Sequence, residues 1–489
     1  MLNSRHAGSF LVLLWSVLLV IGCAAAPGEV MLPSVDRDKE LGRETAKKVE
    51  AEMGVTKAPA ETKFLNAVGE RLVRVNPDQR FEYSFAIIDQ FEPNAFALPG
   101  GWIYVSRGLL ILTNTEDELA NVVGHEIIHV TRRHSARQMQ QSIVPGLLSI
   151  PGWIVGGVIS QDLGNLINAP VNLIGGAYLS SNSRKDEFES DQLGQQLAAM
   201  SGYDPAALAP ILGRMEQFVE IKTGQKRIPS FFDTHPTTPD REERVLRDAK
   251  NIEWTRQLGV VRSSDDYLRK LDGLLVGENP ADGVFQGRKF LHPVLDIAVN
   301  FPKGWKTVNS RQAVTAVSPQ EDALVAMGIA GNGTDPREAA ESFEQALYKK
   351  YGVKPNESKS IKINGLPAHL VSYVDSGKKE PVHWSFLWIA YRELLYQFVG
   401  ITVERHRETF RATAYSFRPI TDKEKASITE MRLRVVSARN GEDLEGLSKR
   451  TRNEWDAKTT AVVNGIDAGQ PLEKGQLIKI AVKQPYKGS

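Results

Sequence analysis

The sequence predicts a multidomain fold: a mainly α domain with a small β-sheet, then an α+β domain, then a small terminal unit. Three observations predict it. Helical spacing of apolar residues dominates 36–258, with only two strand-like segments. Strand-like runs dominate Leu291–Val403. A length of 489 residues suits about three domains of the usual size. With 42% hydrophobic and 24% charged residues, wholesale disorder is excluded. Sixty Lys+Arg against 59 Asp+Glu give a net charge of +1 and no reason to expect a nucleic-acid partner. The single cysteine excludes an intrachain disulfide and a thiolate metal cluster.

Residues 1–22 lead from Arg5 into an apolar run, Phe10 to Ile21, that ends at Gly22-Cys23. The run is short for a membrane span of about 20 residues and sits where a secretory signal has its apolar core. Val20-Ile21-Gly22-Cys23 resembles the bacterial lipobox, which implies cleavage before Cys23, a lipid on its sulfur and a tether over 23–35. The alternative is a plain signal peptide in which Cys23 is incidental. Both readings export the chain. In the lipid reading, Ala24 in place of Asp implies the outer membrane.

Helices are expected over Asp36–Met53 and Glu61–Val75, and strand-like segments over Phe81–Asp89 and Ala95–Val105. Thr115–Arg133 is the clearest helix: Thr115 and Glu118 stand at capping-box spacing before an amphipathic run. Gln141–Ser180 carries one charge, Asp162, and is broken by Pro145, Pro151 and Pro170. It reads either as short buried helices or as a loop system that touches lipid or substrate. Helices resume at Ser183 and continue to about Leu258. Residues 259–287 read as a linker, 288–431 as the α+β domain, and 432–484 as the last unit.

The chemistry centres on His125-Glu126-Ile127-Ile128-His129. At 3.6 residues per turn, His125 and His129 stand one above the other and reach one small cation. Glu126 shares their arc. Unpaired, such groups on an apolar face cost several kcal/mol, which a metal would remove. A second helix starts at Ser183, and Glu187 and Asp191 share a face with Gly194 and Ala198. Small residues there permit close helix approach, which places Glu187 as a third ligand and Asp191 beside a ligating imidazole or the reacting groups. The competing reading is a solvated acidic helix start. His134 falls roughly opposite His125 on a helical wheel and is left outside the site. His292, His369, His383 and His406 read as structural, and Trp384 and Trp388 as core.

Four pieces, in order, resemble the HtpX-type zinc metallopeptidases, and within them an exported, BepA-like branch. They are Asn94-Ala95-Phe96-Ala97-Leu98-Pro99-Gly100-Gly101, the His125–His129 motif, Ser183-Arg184 with Glu187 and Asp191, and Thr234-His235-Pro236 with Arg241. The resemblance implies a zincin-like domain holding one Zn2+ per chain on His125, His129 and Glu187. Glu126 is then the general base, and Asp191 a proton donor or a partner of the ligands. His235 and Arg241 would help the oxyanion, or His235 would cap the metal as a gate. Asn94–Gly101 is expected to lie at an open sheet edge where extended polypeptide substrates add as a strand. The implied role is cleavage of misfolded or unassembled envelope proteins. The alternative is a non-proteolytic chaperone or scaffold for outer-membrane assembly.

Phe301-Pro302 with Gly304-Trp305 and the strand order give 288–431 a likeness to the α+β sandwiches of the PsbP/Mog1 type. Asn440-Gly441-Glu442-Asp443-Leu444, Asn464-Gly465-Ile466 and Leu472–Ile480 resemble a LysM module of βααβ order. That likeness implies either peptidoglycan or a protein, such as assembly machinery, as the partner of the unit.

Overall fold

The computed structural model describes residues 34–56, 58–137, 182–223, 231, 235–236, 240–260, 263–376 and 380–488. The export segment with Cys23 and the low-charge stretch 141–180 lie outside them.

Ser34 accepts a hydrogen bond from Arg37 N and starts α1 (Val35–Met53). α2 (Pro59–Val75) follows, with Pro at its first position where no donor is lost. β1 (Ser84–Ile88), β2 (Ala95–Leu98) and β3 (Trp102–Ser106) form a sheet in the order β1-β3-β2; β1 runs parallel and β2 antiparallel to β3. Ala46, Val49 and Met53 of α1 bury against Phe96, Leu98 and Tyr104. α1 also lies across the β2–β3 turn. A Cβ on Gly100, at φ +82°, would stand 2.6 Å from Lys39 Cα, and one on Gly101 2.1 Å from Glu82 O. Pro99, Gly100 and Gly101 are therefore a buried turn, not the exposed rim expected from their small size.

β3 runs into α3 (Arg107–Leu112) and then α4 (Glu116–Thr131), which carries the His-Glu-x-x-His motif. Thr115 Oγ1 accepts from Glu118 N, half of the expected box. The Glu118 carboxylate takes Asn114 N at 2.6 Å and the Arg214 guanidinium at 2.8 and 2.9 Å instead. Every residue from Glu116 to Val130 is buried. α4 is thus a central helix covered on all sides, not the amphipathic one its periodicity suggests. α5 (Arg184–Met200) opens with a complete capping box of Ser183 and Asp186 and packs along α4. α6 (Leu208–Thr223) and α7 (Arg241–Ala249) complete the shell.

Residues 259–287, expected as a linker, hold α8 (Ser264–Leu271) and β4 (Leu275–Val276). Tyr267, Leu268 and Leu271 are buried in the core that contains α4. The buried Arg107 ties this return to the sheet: it donates to Asp89 at 2.5 Å and to the carbonyls of Leu275 and Gly277 at 2.5 and 3.0 Å.

The next region is built on a seven-stranded antiparallel sheet. Its strands are β8 (Lys306–Asn309), β9 (Ala313–Val317), β10 (Ala323–Asn332), β11 (Glu357–Ile363), β12 (Leu366–Asp375), β13 (Val382–Tyr391) and β14 (Leu394–Val403), in the order β11-β12-β13-β14-β10-β9-β8. α9 (Pro336–Tyr351) packs Ala340 and Phe343 on one face, against Phe386 and Trp388. α10 (Arg407–Ala414) packs Phe410 on the other face, where Phe290, Phe301 and Phe417 join it from a small sheet of β5 (Val284–Gln286), β6 (Lys289–His292), β7 (Ile297–Asn300) and β15 (Arg418–Pro419). The layered α+β character expected of this region is present.

β16 (Thr429–Ser437), α11 (Leu444–Thr451), α12 (Ala457–Asn464) and β17 (Leu477–Pro485) end the chain in βααβ order. β16 pairs with β17 on one side and with β4 on the other. Leu433, Trp455, Val463, Leu477 and Ala481 are buried in the core that also holds α4. Lys479, fully buried, donates to Ile111 O and Thr113 O at 2.5 and 2.9 Å and so caps the carbonyl end of α3.

Candidate metal centre

α4 and α5 meet at two glycines. A Cβ on Gly194 would lie 2.9 Å from His125 N, and one on Gly124 3.1 Å from Gly194 O. This contact of backbones brings Glu187, one helix away, to the two imidazoles. His129 Nε2 lies 2.9 Å from His125 Nε2 and 3.3 Å from Glu187 Oε1. His125 Nε2 lies 3.5 Å from Glu187 Oε2. His235 joins from the segment before α7, its Nδ1 3.2 Å from His125 Nε2 and 2.9 Å from Glu187 Oε1. All four side chains are buried.

These spacings test the fit of a metal. Zn–N and Zn–O bonds of about 2.0–2.1 Å set the edges of a tetrahedron at roughly 3.3–3.4 Å. The five donor–donor distances above, 2.9 to 3.5 Å, bracket that length, and the four ligand atoms all lie within 4.8 Å of one another. Donor type agrees, with three imidazoles and a carboxylate. The residues present fit zinc, and His235 Nδ1 takes the fourth corner that the motif alone would leave to water.

In the protein alone, burial and the neighbouring charges shift these groups in opposite directions. Burial pushes His129 down to about 3, so its ring stays a neutral donor. Burial also disfavours the charged form of His125, but the carboxylates of Asp191 and Glu187 prevail and raise it to about 9. Burial acts upward on Glu187, yet the His235 and His125 rings beside it hold it well below the usual carboxylate range. Glu126 is fully buried, and desolvation pushes its carboxyl up. Neither Glu126 oxygen has a hydrogen-bond partner among the described residues, and Oε1 stands 3.4 Å from His235 Nε2.

Asp191 Oδ1 stands 3.0 Å from His125 Nδ1, so its place is beside the ligand and not at the reacting corner. Arg241 forks onto Asp191 at 2.9 and 2.7 Å and reaches Glu187 Oε2 at 3.2 Å. Expected to face an oxyanion, this guanidinium is buried between Glu187 of the donor set and Asp191 beside it. β2, with Ala95, Phe96 and Ala97, lies at the sheet edge and packs against α4. Asn94 is held by Ser106 through Asn94 N to Ser106 Oγ at 2.8 Å and Ser106 N to Asn94 O at 2.8 Å.

Two neighbours escaped the sequence reading. Phe231 stacks on His235 with ring centroids 4.2 Å apart. His134, excluded by the helical wheel, has its Nδ1 3.1 Å from His129 Nδ1. The wheel fails because α4 ends at Thr131 and Arg133 turns left-handed at φ 59°. The only signal in the sequence was a histidine five residues beyond a ligand.

The description "Peptidase family M48" matches residues 59–249. The Beta-barrel assembly-enhancing protease of Escherichia coli (strain K12) is 30% identical over 243 residues, covering 48% of this chain and 48% of that protein. The Mitochondrial metalloendopeptidase OMA1 of Schizosaccharomyces pombe is 29% identical over 237 residues, 48% of this chain and 65% of that one. The Metalloprotease LoiP of Escherichia coli (strain K12) is 31% identical over 156 residues, 31% of this chain and 57% of that one. The chain spans about half the length of the first of these relatives. His125, Glu126, His129 and Glu187 all fall inside the matched span, so the part of the chain that holds the donor cluster is the part that is similar to peptidase family M48.

Proposed function

We propose that the chain is a zinc-dependent endopeptidase that hydrolyses misfolded or unassembled envelope proteins at the periplasmic face of the outer membrane. One observation carries the reading. Beside the four-donor cage sits Glu126, a buried carboxyl with no hydrogen-bond partner among the described residues. Such a group costs several kcal/mol to bury, and a purely structural metal site has no use for it.

Zinc held by His125, His129 and Glu187 would polarise the scissile carbonyl and acidify a water. The side chains perform the remaining work. His235 occupies the fourth corner and covers Glu126, so its displacement opens both together; His235 is the gate. Glu126, its affinity for protons raised by burial, takes a proton from water and returns it to the leaving amine. Asp191 keeps His125 in its ligating orientation, and Arg241 balances the charge of Asp191 and Glu187. The edge position of β2 supports the addition of an extended substrate through backbone hydrogen bonds, with little demand on its sequence.

The envelope setting is supported by the export segment expected from the sequence, with a lipid at Cys23 as the proposed membrane anchor, and by the similarity to the Beta-barrel assembly-enhancing protease. Among the described residues no helix is long and apolar enough to cross a membrane. For the LysM-like terminal unit, its burial against the peptidase core supports a docking role over a free peptidoglycan-binding arm. A non-proteolytic scaffold is the second reading, and the closed donor set favours it, since structural zinc sites are closed.

Glu126→Gln separates the two. The endopeptidase reading expects the variant to keep its zinc and lose about 10²–10⁴-fold in cleavage of an unfolded protein. Undiminished cleavage by the variant would overturn it. Rescue of a deletion strain by Glu126→Gln would establish the scaffold.

A further inference from the structure

His134 lies outside the donor cage and has no part in the proton transfers above, yet it is fully buried against them. Its Nδ1 faces His129 Nδ1 at 3.1 Å, with Ser190 Oγ at 3.3 Å from the same atom. Its Nε2 lies 3.3 Å from Asp186 Oδ1 and 3.4 Å from Glu189 Oε2, both on the first turns of α5.

The protons on this chain of groups have one consistent arrangement. A metal at His129 Nε2 needs the lone pair of that atom, so the ring proton of His129 sits on Nδ1. That proton meets His134 Nδ1, which must then accept. An accepting Nδ1 places the proton of neutral His134 on Nε2, at ion-pair distance from the carboxylates of Asp186 and Glu189 but outside hydrogen-bond geometry with either. Arg137 and Arg132 hold those carboxylates in turn, at 3.0 and 2.9 Å.

We infer that His134 is a positioning residue for zinc: by accepting from His129 Nδ1 it fixes the tautomer and ring orientation of His129, with the charge of two α5 carboxylates at ion-pair distance behind it. The inference rests on the zinc reading of the cage. A ligating histidine ordinarily passes its second proton to a carboxylate, carbonyl or water. Here an imidazole is interposed, and the carboxylates it reaches belong to the helix that supplies Glu187. His134 therefore ties the His129 ring to α5, through Ser190 Oγ and the nearby carboxylates, by a route separate from the metal.

The test measures zinc affinity of the full chain by chelator competition, beside the d–d spectrum of the cobalt form. His134→Leu is expected to bind zinc about 10–100-fold more weakly and to shift the cobalt bands. His134→Asn, whose side-chain oxygen can replace the accepting nitrogen, is expected to recover most of that loss, which a mere packing defect would not allow. Wild-type affinity in His134→Leu overturns the inference. Absence of zinc from the wild type overturns the reading of the cage itself. Should His134→Leu fail to fold, 15N-histidine labelling of the zinc-loaded wild type decides. A slowly exchanging Nδ1 proton on His129, coupled to a second imidazole nitrogen, supports the inference, and its absence refutes it.

Discussion

Gly124 and Gly194 meet backbone to backbone, and the metal site exists because of that contact. A Cβ on Gly194 has 2.9 Å to His125 N and 3.0 Å to His125 Cα, all main-chain atoms that cannot step aside. Gly194→Ala gains about 1 kcal/mol of helix propensity but forces α4 and α5 apart, with an overpacking cost of about 1–3 kcal/mol. The expected outcome is a modest loss of thermal stability with at least a tenfold loss of zinc affinity, since Glu187 moves with α5. Chelator competition on the purified variant checks it. Unchanged affinity would mean that Glu187 follows α4 by some other constraint.

Arg241 is buried and stands against two buried carboxylates. Removing one partner of such a cluster leaves uncompensated charge and costs about 3–5 kcal/mol. Arg241→Met is expected to lower the midpoint of urea unfolding by a corresponding amount in the metal-free protein. Added zinc, which supplies positive charge to Glu187, is expected to recover part of the loss. A midpoint within error of the wild type would remove Arg241 from its charge-balancing role.

His292 supplies a pH dependence far from the zinc site. Burial pushes it down to about 4, while its Nδ1 accepts from Leu295 N at 3.1 Å. The unfolded chain, near 6.5, takes up the proton first as pH falls. Its contribution is therefore complete above about pH 6.5 and is lost on acidification through about pH 4, amounting to at most about 3 kcal/mol before solvent screening. His292→Asn is expected to flatten the stability–pH curve between those values. Equal slopes in variant and wild type would contradict it.

Lys479 tests the tie between the last unit and the peptidase core. Burial holds its amine well below the usual lysine range, and Arg214 adds to that. Lys479→Met removes the buried amine but orphans the carbonyls of Ile111 and Thr113, at a cost of about 1–3 kcal/mol for each unsatisfied group. A loss of roughly 2 kcal/mol is expected, together with faster hydrogen exchange across α3 and the start of α4. Exchange confined to β17 would show that the unit and the core are not coupled.

The residues of the donor cluster were readable because their spacing obeys local rules. His125 and His129 need only the pitch of a helix, and Glu187 with Gly194 needs only a second helix with a small face. The long apolar strands of the α+β region were equally plain, because each alternates or runs apolar over its own length. What could not be read depends on where the chain goes next. His134 is lost to a wheel because Arg133 leaves the helix, held in that turn by Asp38 of α1 at 2.6 Å. The burial of Pro99–Gly101 is decided by α1, which is distant in sequence. Tyr267 and Leu271 stand in a stretch that reads as a linker until β16 and β17 arrive to cover them.

That arrival sets an order of events. Lys479 reaches back 368 residues to Ile111, and the strand that bears it closes a hydrophobic centre begun by α2 and α4. The helix with His125 precedes β17 by more than 300 residues, and the carbonyls of Ile111 and Thr113 take Lys479 as their partner only once that strand is in place. The interior around α4 is thus complete only when β17 has closed on α3, so the stability of the one is tied to the presence of the other.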